Sequence, residues 1–197
     1  MHNSKIRQMT VYAMFFAIIT LMSFVPSLGF ITIGPVSFTL IPAVVIICAF
    51  TTGWKGGLFS GLAFGLFSMI LSYMAAVTPW DIEFQNPLVS ILPRAVFGLV
   101  AGLIAEFVMK KEFKSKTTQL IFISLGCGIS TIIHTLLVFS MMIVCIPLTP
   151  VLEPYIGTTF WTLLATVISV NGLIEISLAL IIAPVVIKTL SSILKKK

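Results

Sequence analysis

The sequence predicts an all-α integral membrane protein, a bundle of six transmembrane helices with both termini on the cytoplasmic side. Three observations carry that prediction. With 58% hydrophobic and 9% charged residues and a mean hydropathy of +1.16, the chain has too little polar surface to cover a water-soluble globule. Its apolar residues fall into six runs, each near the ~20 residues that cross a bilayer as a helix. Residues 1–197 therefore read as a single membrane-embedded domain with no room for a soluble catalytic one. Finally, the net charge of +6 comes from basic residues at segment ends, which is the bias of a multi-pass membrane protein and not of a nucleic-acid binder.

The first run, residues 9–25, follows Lys5 and Arg7 as a secretory signal would, but it is long for one. It reads as a retained helix. Ala13-x-x-x-Ala17 puts two small side chains on one of its faces, where another helix, of this bundle or of a partner, can approach closely. Residues 26–35 form a connection that carries Gly29, Gly34-Pro35 and no charge, yet holds Leu28, Phe30, Ile31 and Ile33. Such a loop either folds over the bundle mouth as a lid or dips into the lipid interface.

The second run, 36–51, is short and contains Pro42. If it crosses, eleven of the twelve basic residues share one side: Lys5, Arg7, Lys55, Lys110, Lys111, Lys114, Lys116, Lys188 and the three lysines 195–197. If it does not, the 110–116 cluster lands opposite Lys5 and Arg7, against the positive-inside rule. Charge therefore favours six spans. The third run, 57–77, repeats Gly57-x-x-x-Gly61-x-x-x-Gly65, a stripe on which a neighbouring helix lies against bare backbone. Trp80, Asp81 and Glu83 in the next connection read as ordinary boundary residues.

The fourth run, 87–109, opens with Asn86 as a cap and Pro87 at the first helical position. It contains Arg94, about 10 Å deep by the helical rise. An ionisable group inside a span costs roughly 2.5–3.5 kcal/mol even on a lenient insertion scale, so a ligand or pathway role is the default reading. Pro93 has no N–H to donate, which frees the Val89 carbonyl one turn back. Ser90 lies one turn above Arg94, and Gly98-x-x-x-Gly102 continues as a packing stripe.

The fifth run, 119–146, places His134 about 22 Å from its start, in the same layer as Arg94. The sixth starts near residue 160 and carries Asn171 and Glu175 on one face. Glu175 requires a donor or a proton, and either a structural network or ligand contact satisfies it. Cys48, Cys127 and Cys145 lie in apolar runs without CxxC spacing and read as small packing residues.

With Ala13-x-x-x-Ala17, the apolar first loop and the stretch FQNPLVSILPR ending at Arg94, the chain resembles a bacterial S component of the energy-coupling factor vitamin transporters over nearly its whole length. That stretch is most similar to the pantothenate-specific branch. The resemblance implies a substrate-binding subunit of an ABC-type importer in the bacterial plasma membrane. Such a subunit joins a transmembrane coupling subunit and two ATPase subunits, and topples in the membrane to deliver its vitamin. It implies that Ala13 and Ala17 face the coupling subunit. The absence of a G-x-x-x-x-G-K-[ST] loop agrees with ATP being used by the partners and with no cofactor in this chain.

Pantothenate has a carboxylate, an amide and two hydroxyls. Arg94, Asn86, Ser90, His134, Asn171 and Glu175 supply a cation, amides and hydrogen-bonding groups for them. An S component for riboflavin or folate is the alternative, and a scaffold in which Arg94, His134 and Glu175 only pin helices is another. Ser130, His134 and Glu175 also provide the residue types of an intramembrane serine hydrolase, but nothing identifies an oxyanion hole.

Overall fold

A computed structural model of the protein describes residues 2–25, 28–33, 36–76, 79–113, 115–145 and 158–195; within these, the side chains at 2–4, 30–38, 79–80, 158–171 and 194–195 lie outside the description. Among the described residues the architecture is helical apart from one small hairpin. In order it comprises α1 (His2–Phe24), β1 (Phe30–Ile33), β2 (Val36–Thr39), α2 (Ile41–Thr52), α3 (Trp54–Met74), α4 (Pro79–Glu83), α5 (Pro87–Lys110), α6 (Lys116–Cys145) and α7 (Thr158–Lys195).

The centre of the bundle is α2. It is apolar on every side, and a helix without a polar face has to be surrounded. Eight of its twelve residues are buried, and it packs against α1, α3, α5, α6 and α7. Around it close Phe15 and Ile19 of α1, Phe64 of α3, Phe97 and Ala101 of α5, and Ala179 and Ala183 of α7. The outer surface is apolar too: Phe107, Leu136 and Ile181 are each more than half exposed. In lipid such side chains need no cover. Among the described residues, five helical segments (Lys5–Phe24, Trp54–Met74, Pro87–Lys110, Lys116–Cys145 and Gly172–Ile193) are long and apolar enough to cross a membrane, and α2 is a shorter apolar helix.

Two elements differ from the sequence expectation. Residues 30–33 of the expected connection and 36–39 of the second run are not loop and helix but two antiparallel strands, Phe30 opposite Thr39 and Ile33 opposite Val36. FITI and VSFT are β-branched and aromatic residues that suit a pleated strand, with the turn-forming Gly34-Pro35 between them in sequence. The backbone N–H of Leu40 donates to the Gly29 carbonyl at 2.9 Å and closes the base. The lid expectation rests on residues 26–27, 34–35 and the side chains of 30–33, which lie outside the described residues. The second difference is α4, a single turn in the stretch expected to be a plain connection. Gly53, with φ +80°, makes the sharp corner between α2 and α3, a conformation that glycine adopts without Cβ strain.

The glycine stripes seal α3 onto α5. A Cβ at Gly57 would strike the Gly98 carbonyl, one at Gly61 the Arg94 carbonyl, and one at Gly102 the backbone of Trp54. Backbone therefore lies on backbone along the whole contact, as small-residue stripes allow. The consequence is positional: the main chain at Arg94 is held directly against α3.

Candidate functional site

Arg94 is buried, at 5% exposure. Pro93 sits inside α5 and leaves the Val89 carbonyl without its helical donor. Arg94 turns its side chain back along the helix and donates from Nη1 to that same carbonyl. The rings of Phe84 and Phe64 lie 4.6 and 5.5 Å from its Cζ, within cation–π range. Nε is buried and has no partner. That N–H lies on the edge Nε shares with Nη2, the kind of edge from which a guanidinium takes a carboxylate through two parallel hydrogen bonds.

Across Phe64 stands His134. Its ring centroid is 5.9 Å from that of Phe64 and 4.6 Å from that of Phe97, so the expected sharing of one layer by Arg94 and His134 is realised through a common aromatic wall. His134 Nδ1 is 3.8 Å from Glu175 Oε2, near enough for charge to act but too long for a hydrogen bond. Both imidazole nitrogens are buried without a hydrogen-bond partner. Glu175 also lies close enough to Arg94 for their charges to interact. Arg94, His134 and Glu175 thus come together from α5, α6 and α7. The hydrolase arrangement does not form: Ser130 donates its hydroxyl to the Gly126 carbonyl of its own helix at 2.7 Å, and His134 bonds to no serine.

Asn86 and Ser90 stand apart from that trio, at the corner between α4 and α5. Asn86 caps α5, its Oδ1 accepting from the Leu88 N–H at 3.0 Å, and Ser90 Oγ donates to the Phe84 carbonyl. Gln85 Nε2 donates to the Ser72 carbonyl at 3.1 Å, and the Tyr73 hydroxyl to the Gln85 carbonyl at 3.3 Å. The corner is thereby tied to α3 and to α5. The side chain of Asn171 lies outside the described residues, as do residues 146–157 with Glu153, and Lys114.

Sequence reasoning missed Phe64, Phe84 and Phe97, which wall the site, and Glu83. The last is 1% exposed, its two carboxyl oxygens have no partner, and burial pushes its pKa from 4.5 up to about 7. At the opposite end of α5 a cavity of about 400 Å³ is lined by Phe50, Gly53, Glu106, Lys110 and Ser191; its polar groups already pair, Lys110 Nζ with Glu106 Oε2 at 3.1 Å. On α1, Ala13 and Ala17 are both exposed, so this small-residue face does not pack inside the bundle. Cys48, Cys127 and Cys145 are free and buried.

Residues 7–187 match the family described as ECF transporter, substrate-specific component. The chain belongs to this family. It is also 30% identical over 140 residues to the pantothenate transporter PanT of Leuconostoc mesenteroides subsp. mesenteroides, an alignment covering 68% of this chain and 67% of the relative. The protein is accordingly the substrate-binding component of an energy-coupling factor vitamin transporter, a multi-pass protein of the plasma membrane and a transporter subunit rather than an enzyme.

Proposed function

We propose that this S component binds pantothenate and that Arg94 anchors the vitamin's carboxylate. The observation that carries the reading is a buried guanidinium within cation–π range of two phenyl rings whose Nε has no hydrogen-bond partner. His134 and Glu175 present hydrogen-bonding groups in the same layer for the amide and hydroxyls, and Asn86, Ser90 and Asn171 complete the set of residues. In the ligand-free protein Asn86 and Ser90 also serve as cap and corner tie. The modest identity to a pantothenate transporter supports the choice of vitamin over riboflavin or folate.

The membrane arrangement belongs to the same proposal. The chain forms one domain of six spans with both termini cytoplasmic. The crossing by the second run rests on the charge asymmetry, which puts eleven of the twelve basic residues on one side only if that run crosses. Ala13 and Ala17, exposed on α1, face a transmembrane coupling subunit. Two ATPase subunits supply the energy through ATP, and the S component topples to release its vitamin.

The test is a two-by-two titration of wild type and Arg94→Gln against pantothenate and its neutral amide. Removing one partner of a buried charge pair costs about 2–5 kcal/mol, or roughly 30-fold to several thousand-fold in affinity. That loss is expected for pantothenate and largely absent for the amide. Equal weakening of both ligands would assign Arg94 to the support of the bundle instead.

A further inference from the structure

Six buried side-chain atoms among the described residues lack a hydrogen-bond partner, and they belong to Glu83, Arg94, His134 and Thr135. Arg94 and His134 are already in the site. Glu83 is not, and its condition needs a reason, because an apolar residue would fill the same space without burying two unsatisfied oxygens. The fold does not let it escape to solvent. Immediately after it, the corner is fixed by Ser90 on the Phe84 carbonyl, Gln85 on the Ser72 carbonyl and Tyr73 on the Gln85 carbonyl. Its own carbonyl accepts from the Asn86 N–H at 3.1 Å. A carboxyl held this firmly without a partner is preorganised for a ligand that supplies one.

The position relative to Arg94 is constrained by the chain itself. Phe84, the next residue, lays its ring 4.6 Å from the guanidinium carbon, so the Glu83 Cα is no more than about 12 Å from that carbon. The two unpartnered groups are opposite in kind. Arg94 Nε can only donate, and Glu83 in its ionised form can only accept. An extended ligand with a carboxylate at one end and donors at the other would satisfy both, in one orientation only.

We propose that Glu83 is a specificity-determining residue of this site, accepting hydrogen bonds from hydroxyl or amide N–H donors at the end of the ligand remote from its carboxylate. This rests on the carboxylate reading of Arg94 given above.

The experiment compares pantothenate with an analogue whose hydroxyls are replaced by hydrogen, in wild type, Glu83→Gln and Glu83→Leu, with the amide analogue as a control for the Arg94 end. Wild type is expected to prefer pantothenate over the dideoxy analogue by about 10- to 100-fold, the worth of hydrogen bonds to a charged group. Glu83→Leu is expected to bind both equally while keeping its preference for the carboxylate over the amide. Its ligand-free Tm is expected to rise, because the unsatisfied oxygens are gone. Glu83→Gln keeps the shape and should reduce the hydroxyl preference without removing it. A Glu83→Leu or Glu83→Gln protein that discriminates the hydroxyls as well as wild type does would overturn the proposal, as would loss of both ligands together with a lowered Tm. If instead wild type discriminates neither the carboxylate nor the hydroxyls, the reading of the site fails and this proposal with it.

Discussion

The two ends of α5 carry charge in opposite ways. At one end Arg94 is buried, close to two phenyl rings and with its Nε unpartnered, and Glu83 is unsatisfied in the corner that precedes the helix. At the other end Glu106 is paired with Lys110 and accepts from the Trp54 N–H at 3.4 Å, with the lysine largely in the open. The first arrangement costs free energy that the fold does not recover by itself, because buried polar groups without partners lose their hydration for nothing. The second costs little and gains little. The difference separates a cluster whose buried polar atoms are left unsatisfied from a boundary that is already complete, although an open cavity lies at the boundary end.

The seam between α3 and α5 runs past both ends and allows the comparison to be broken. A side chain at Gly61 would strike the Arg94 carbonyl and one at Gly102 the Trp54 backbone. Each contact is with main chain, which yields less readily than a side chain. Gly61→Leu and Gly102→Leu are therefore both expected to destabilise the protein by about 3 kcal/mol or more, at the upper end of overpacking costs. Binding should part them. Gly61→Leu moves Arg94 off its place between the rings and is expected to abolish pantothenate binding. The folded fraction of Gly102→Leu should bind within a few-fold of wild type. Isothermal titration corrected for the active fraction reads this, and equal loss in both would mean that the seam matters only as a whole.

How much of this is legible in the sequence follows the same division. The helical runs are legible because hydropathy and length suffice for a span, and α3, α5 and α6 begin and end within about three residues of expectation. The hairpin is not, since four-residue strands made of apolar residues merge into the run beside them. Arg94 stands out because a cation in an apolar run is too costly to be kept without a role, and the orphaned Val89 carbonyl follows from Pro93. The donor to that carbonyl emerges only in the fold, where it is the arginine itself. Phe64, Phe84 and Phe97 cannot be picked out among 16 phenylalanines. Glu83 is hidden because an acid near a membrane boundary is ordinary until its burial is known.

Burial at Glu83 makes a prediction for pH that has no counterpart at the Glu106 end. Its carboxyl is raised from 4.5 to about 7 in the folded protein, by loss of water and not by any neighbouring charge. Cys145 at the end of α6 is the titratable group whose own electrostatics it affects. An acid whose folded pKa exceeds its unfolded one stabilises the protein fully below the unfolded value, and that contribution is lost as pH rises through the folded one. Ligand-free wild type is thus expected to melt higher at pH 5 than at pH 8, by about 5 °C of Glu83-dependent difference. Glu83→Gln, which carries no proton to lose, should remove that part of the slope. An identical slope in the variant would mean that Glu83 is solvated in the free protein.

The smallest effect is expected at Glu106. Its partner Lys110 is 77% exposed in its side chain, so the pair is screened by water and salt, and holding two long side chains together costs entropy that offsets most of the attraction. Gln at this position still offers a carbonyl oxygen to the Trp54 N–H, so the tie between α5 and the start of α3 survives the loss of charge. Glu106→Gln is expected to leave pantothenate affinity unchanged and to shift Tm by less than about 2 °C, with no dependence on ionic strength beyond that of wild type. Such an unchanged affinity discriminates because Glu106→Gln and Arg94→Gln each remove one charge from the same helix. If the two variants weakened binding alike, the net charge of α5 would govern the ligand, and the unpartnered Nε of Arg94 would lose its claim to the carboxylate.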